Sequence, residues 1–136
     1  MTELTKKERD CLVDLGEKEG GKFPTRLVDL AADLSIKSPT ALNLIRRLEA
    51  KKIVVHEKGM ILLTPSGTKF FHEIVENHRV LETLMVNFGM DLEKACALSE
   101  SIDFQIDHHS IDKMFIKLGK PGKCPHGRDI TQFHEK

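Results

Sequence analysis

The sequence predicts a mostly α-helical protein: an N-terminal winged helix-turn-helix followed by a helical domain. Three observations predict it. Apolar residues recur at helical spacing in Leu27, Leu30, Ala31 and Leu34, then in Ala41, Leu44, Ile45 and Leu48, with the tight turn Ile36-Lys37-Ser38-Pro39 between the two stripes. Immediately afterwards, Ile53-Val54-Val55-His56 and Met60-Ile61-Leu62-Leu63 flank Glu57-Lys58-Gly59, the pattern of a short β-hairpin with Gly in its turn. Beyond Thr64-Pro65-Ser66-Gly67 the apolar spacing is helical again for most of the chain.

Each element follows in order. Thr5 and Glu8 are spaced as a capping box, opening a helix through Leu12 and Leu15 that Gly20-Gly21 closes. Phe23-Pro24-Thr25 is a second helix start, with Thr25 as its cap. Ser38 caps the third helix and Pro39 takes its first position, where a missing N–H costs nothing. That helix falls in residues 37–52 and the wing in residues 53–64. A boundary after Ser66 divides the chain into domains 1–66 and 67–136. In the second, a long helix carries Phe70, Phe71, Ile74, Val75, His78, Leu81, Glu82 and Met85 and ends near Phe88-Gly89. Another helix spans about residues 92–108, and Ser110 caps a last one through Ile111, Met114, Phe115 and Leu118.

Composition narrows the function classes. Seven Phe with no Trp or Tyr leave a core of Leu, Ile and Val, which suits packed helices. No apolar run approaches the roughly 20 residues that span a membrane, and the charged start lacks a secretory signal, so a cytoplasmic address is expected. Three scattered cysteines, Cys11, Cys96 and Cys124, do not make a disulfide framework. The net charge is zero but unevenly spread: residues 22–58 hold eight basic and four acidic side chains, residues 70–112 two basic and nine acidic. That polarity fits a DNA-facing part joined to a cation-binding part, although solvated charged faces produce the same pattern.

A recognition helix reads bases through side chains near its N-terminus, here Lys37, Ser38, Pro39, Thr40 and Asn43. Arg46, Arg47, Lys51 and Lys52, with Lys58 on the wing, are suited to phosphates. In the acidic half, His78 and Glu82 are four residues apart and so differ by about 40° around a helix. Such a pair is half of a transition-metal site, or equally a surface ion pair. Cys96, Glu100, Asp103 and Asp107 form a second stripe on the expected 92–108 helix. Cys124 and His126 sit in a turn bounded by Pro125 and Gly127, a spacing compatible with metal binding or with simple loop closure. No phosphate loop, His-Glu-x-x-His motif or serine elbow occurs, so no enzyme is expected.

Together, Ser38-Pro39-Thr40, Leu63-Thr64-Pro65-Ser66-Gly67, Asn77-His78-Arg79-Val80-Leu81-Glu82, Glu100-Ser101-Ile102-Asp103, Ser110-Ile111-Asp112-Lys113 and Cys124-Pro125-His126-Gly127 resemble the diphtheria toxin repressor family of iron- and manganese-dependent transcriptional regulators, in its short two-domain form. The resemblance implies a homodimer, with residues 67–136 as a helical metal-binding and dimerisation domain, and a palindromic double-stranded operator bound when Fe(II) or Mn(II) is present. It places His78, Glu82 and Cys96 at an ancillary metal site, with Cys96 where a histidine is usual, and Asp10, Glu100 and Asp103 at a primary site. Phe104 stands where the primary site has its imidazole. A carboxylate-only primary site would be harder and weaker, whereas His78, Glu82 and Cys96 suit softer ions. The alternative is a winged-helix regulator with a degenerate metal site, controlled through a redox signal at Cys96 or Cys124 or by another signal.

Overall fold

A computed structural model describes residues 3–19 and 24–130. Its contacts divide the chain into two compact units, Met1–Phe71 and His72–Lys136. The sequence-derived boundary after Ser66 falls within the first turn of the helix that crosses this division. Among the described residues no helix is long and apolar enough to cross a membrane.

The first unit opens with α1 (Lys6–Glu19). The expected capping box forms in full: the Thr5 N–H donates to Glu8 Oε1 at 2.8 Å, and the Glu8 N–H donates to Thr5 Oγ1 at 3.1 Å. The Gly20-Gly21 stop lies outside the described residues. Thr25 does not cap the next helix. It is buried in β1 (Thr25–Arg26), paired antiparallel with Ile61, so backbone pairing rather than capping occupies it. Arg26 takes the N-cap position of α2 (Leu27–Asp33) without a side-chain bond.

The turn to α3 (Ser38–Ala50) is closed by Ser35 in the left-handed region at φ 54°, with the Ile36 N–H bonded to Ala31 O and the Ser35 N–H to Ala32 O. Lys37, not Ser38, is the N-cap of α3, and Pro39 sits in its first turn. At the other end Lys52, at φ 63°, repeats the arrangement, its neighbour Ile53 donating to Leu48 O. Two non-glycine residues in this costly conformation, about 1–2 kcal/mol each, bracket the third helix and set its entry and exit.

The wing is β2 (Val54–Glu57) and β3 (Met60–Leu63), joined by Lys58 and Gly59, both at positive φ as a type I′ turn requires. With β1 the sheet order is β1-β3-β2. Leu12, Leu15, Leu30, Leu44, Ile45, Leu48, Ile53 and Ile61 are buried together as the core of this unit, so the apolar stripes read from the sequence are its interior faces.

Glu8 is the exception in that interior, a fully buried carboxylate. Lys51 reaches it from the end of α3, its Nζ 2.8 Å from Oε1 and 3.1 Å from Oε2, and also donates to Glu3 O at 2.7 Å. Burial opposes ionisation of Glu8, but the bonds from Lys51 and the Thr5 amide outweigh it and hold the carboxyl below its ordinary range. Lys51, grouped by the sequence with the phosphate contacts, is thereby engaged inside its own unit.

The long helix α4 (Pro65–Asn87) starts on Thr64, whose Oγ1 accepts from the Gly67 N–H at 3.0 Å. Thr64 also donates through its backbone N–H to Ile53 O at 2.9 Å, tying the helix start to the wing. In the second unit α5 (Leu92–Ile102) is capped by Asp91. It stops six residues short of the expected end, because Asp107 breaks away to cap α6 (His108–Lys117) by accepting from the Ser110 N–H at 3.0 Å. Ser110 is therefore inside α6 rather than its cap, and Asp107 leaves the Cys96 stripe. Val80, Leu81, Ile111, Phe115, Cys124 and Ile130 form the core of this unit.

Two outcomes test these contacts. A Cβ at Gly67 would lie 2.1 Å from Ile53 O, so Gly67→Ala should cost about 1–3 kcal/mol, seen as a lower urea midpoint. Because the folded pKa of Glu8 is depressed, its stabilisation is present above its ordinary value of 4.5 and is lost as pH falls through the lower folded value. Glu8→Gln should thus destabilise by about 1–3 kcal/mol near neutral pH and show a much smaller difference from the parent in acid, by urea denaturation across pH.

Candidate metal centre and nucleic-acid face

The second unit concentrates its polar interior on α4. Glu76, Asn77, Glu82 and Thr83 are all buried there, and a helix buries such groups only when partners reach them. His78 and Glu82, one turn apart, face each other as their spacing predicts, with Nε2 3.3 Å from Oε2. Cys96 on α5 completes the group, its Sγ 3.6 Å from the same Nε2. Candidate ligand atoms of these three residues all lie within 4.8 Å of one another.

Nδ1 of His78 is 3.1 Å from Oδ2 of the fully buried Asp103, so an imidazole that binds a metal through Nε2 keeps its N–H on Nδ1 and donates it to Asp103. Nε2 then presents a lone pair to Glu82 Oε2, which is buried without a hydrogen-bond partner among the described residues. Two electron-pair donors facing each other suit a cation between them. The Asp103–His78 bond is also the kind of contact that orients a metal-binding imidazole. Burial, then the charges of Glu82 and Glu100, push the Cys96 thiol above its ordinary pKa, so in this arrangement Sγ–H serves as a donor toward Nε2. The donor set of one imidazole, one carboxylate and one thiol that ionises on ligation fits a divalent transition metal.

A second cluster shares the same carboxylate. His126 Nδ1 lies 2.7 Å from Glu82 Oε1, and Glu82, Cys124 and His126 bring candidate ligand atoms within 4.8 Å. The turn that carries them is held by the Gly127 N–H donating to Cys124 O and the Cys124 N–H donating to Arg128 O. Sequence reasoning found Cys124 and His126 but did not join them to Glu82; only the Cys-x-His spacing hinted at it.

Asp103 holds His78 and also offers its backbone carbonyl to Asn77 Nδ2 at 2.9 Å. Glu100 is half-buried on α5, and Phe104 is buried in the core position that its side chain demands. Asp10 belongs to the first unit, bonded to Lys6 at 2.7 Å and Arg9 at 3.0 Å. His108 meets Glu76 and Asn77. On the first unit, Lys37, Ser38, Pro39, Thr40, Asn43, Arg46 and Arg47 are exposed along α3, and Lys58 is exposed at the tip of the wing.

The family described as "Iron dependent repressor, metal binding and dimerisation domain" matches residues 64–132. The transcriptional regulator MntR of Salmonella typhimurium is 27% identical over 105 residues, 76% of this chain and 62% of that protein. The chain thus spans less than two thirds of that relative's length. The crystal structure of the hypothetical protein SSo2273 from Sulfolobus solfataricus superposes with a TM-score of 0.82 at 31% identity, covering 95% of this chain and all of that one. A manganese-dependent transcriptional repressor in complex with manganese has a TM-score of 0.78 at 26% identity over 95% of this chain and 60% of its own.

Sharing of Glu82 makes a specific prediction. Glu82→Gln should weaken metal uptake by both clusters, at least about tenfold, while Cys96→Ala and Cys124→Ala should each affect one. Metal per chain after dialysis against graded free metal, measured by elemental analysis, distinguishes these patterns.

Proposed function

The chain belongs to the iron-dependent repressor family, and on that premise we propose that it is a DNA-binding transcriptional regulator, acting as a homodimeric repressor under the control of a divalent metal, Fe(II) or Mn(II). The observation that carries the proposal is the His78–Glu82–Cys96 group, in which Asp103 holds Nδ1 of the imidazole and leaves Nε2 facing a buried carboxylate oxygen. A bound divalent cation supplies there the positive charge that these facing lone pairs call for. The thiol donor favours Fe(II) over Mn(II). His78 and Glu82 lie on the helix that starts against the wing, so one continuous element carries both the metal ligands and the connection to the DNA-binding unit.

DNA recognition is assigned to α3, with Lys37, Ser38, Pro39, Thr40 and Asn43 toward base edges and Arg46, Arg47 and the wing residue Lys58 on phosphates. A palindromic operator follows from two-fold pairing of such heads. Redox control through Cys96 is disfavoured, because burial and the charges of Glu82 and Glu100 raise its pKa, the opposite of a reactive thiolate.

In a gel-shift titration on a palindromic duplex, saturating Fe(II) or Mn(II) should increase affinity for DNA. Equal affinity with and without metal would reject metal control while leaving DNA binding in place. Arg46→Ala and Arg47→Ala should each weaken binding to all sequences alike and reduce the salt dependence by about one phosphate contact.

A further inference from the structure

The turn that carries Cys124 and His126 is attached to α4 at two points. His126 Nδ1 lies 2.7 Å from Glu82 Oε1, and Arg79 Nη1 donates to Asp129 O at 2.5 Å. Arg79 and Glu82 are three residues apart on α4, about 60° around the helix and about 4.5 Å along its axis. His126 and Asp129 are likewise three residues apart in the turn. One short stretch of the helix thus meets one short stretch of the turn at both ends.

Within the turn the backbone is closed on itself. The Cys124 N–H donates to Arg128 O at 2.8 Å and the Ile130 N–H to Gly122 O at 3.0 Å, while Lys123 and Asp129 pair as an isolated antiparallel bridge. Holding Asp129 therefore also holds Lys123 across from it and Cys124 beside that. Cys124 and Ile130 are buried against Val80 and Leu81, which keeps the turn on the core. Apolar burial is non-directional, however, and does not by itself aim a thiol and an imidazole at one carboxylate. A hydrogen bond to a carbonyl is directional. The His126–Glu82 contact joins two groups that a cation would compete for. The Arg79 bond ends on a backbone carbonyl outside the cluster, so it is available with or without metal.

We propose that Arg79 is a positioning residue for the Glu82–Cys124–His126 cluster: by gripping the Asp129 carbonyl it presets the turn so that Cys124 and His126 stand over Glu82 before a divalent transition metal arrives. The inference rests on reading that cluster as a metal site. Affinity gained in this way comes from ordering the ligands in advance. The sign of the effect separates it from simple electrostatics. Arg79 carries a positive charge one helical turn from Glu82, so by charge alone its removal strengthens cation binding. Loss of positioning weakens it. Because His78 and Cys96 lie on α4 and α5 and not on the turn, their cluster does not depend on Arg79.

The test titrates the full chain with Co(II) and reads the thiolate-to-Co(II) charge-transfer absorption. In a Cys96→Ala chain the band reports the Cys124 cluster, and adding Arg79→Ala should weaken Co(II) binding at least about tenfold, with Arg79→Lys recovering much of the loss. In a Cys124→Ala chain the band reports the Cys96 cluster, and Arg79→Ala should change affinity by less than about twofold. Unchanged or tighter binding at the Cys124 cluster, or an equal loss at both clusters, would overturn the proposal. A second readout needs no metal: in the metal-free chain Arg79→Ala should speed hydrogen exchange of the Cys124 and Ile130 amides at least about tenfold. Unaltered exchange there overturns the positioning role even if metal binds. Absence of the band from the Cys96→Ala chain instead removes the metal reading of the cluster, and the proposal with it.

Discussion

The arrangement of the second unit depends on carboxylates and amides buried along α4. From Glu76 a continuous run of polar contacts passes through His108, Asn77, Asp103 and His78 to Glu82, and from there to His126. Apart from His126, which is exposed, each residue in that run is buried or half-buried, so each fixes the next. The end of α5, the start of α6 and the turn at Cys124 are the segments that supply partners. The break between α5 and α6 frees the Asp103 carbonyl for Asn77, which a continuous helix would bond internally, while the Asp103 carboxylate reaches His78.

Glu8 in the first unit provides an instructive contrast. It is as fully buried as Glu82, but a lysine ammonium, an arginine and a backbone amide meet it, so its charge is neutralised by the chain itself. Glu82 is met by two imidazoles and lies near a thiol, groups able to donate electron pairs to a cation. A buried carboxylate is a structural clamp in one setting and a candidate ligand in the other. The difference lies in whether fixed cations or electron-pair donors surround it.

Geometry at α3 rests on backbone conformation more than on side chains. Ser35 and Lys52 adopt left-handed angles where glycine would be easier, and the bonds they close hold α3 at a defined angle between α2 and the wing. Lys51 is held by Glu8, which leaves Arg46 and the N-terminal residues of α3 facing outward.

Features carried by neighbours in the chain were legible in the sequence. The Thr5–Glu8 capping box, the paired apolar stripes of α2 and α3, the Gly-containing wing turn and the His78–Glu82 pair all follow from spacings of two to four residues, over which helix period and local hydrogen bonding are dictated by adjacent groups. What needed the tertiary structure involved partners far apart. Thr25 became a strand residue because Ile61 lay beside it. Asp103 became the partner of a histidine 25 residues away, and His126 met Glu82 across 44 residues. No local periodicity encodes such contacts; they arise only when packing of the apolar core has brought the helices together, and buried polar groups then take whichever partners that packing supplies.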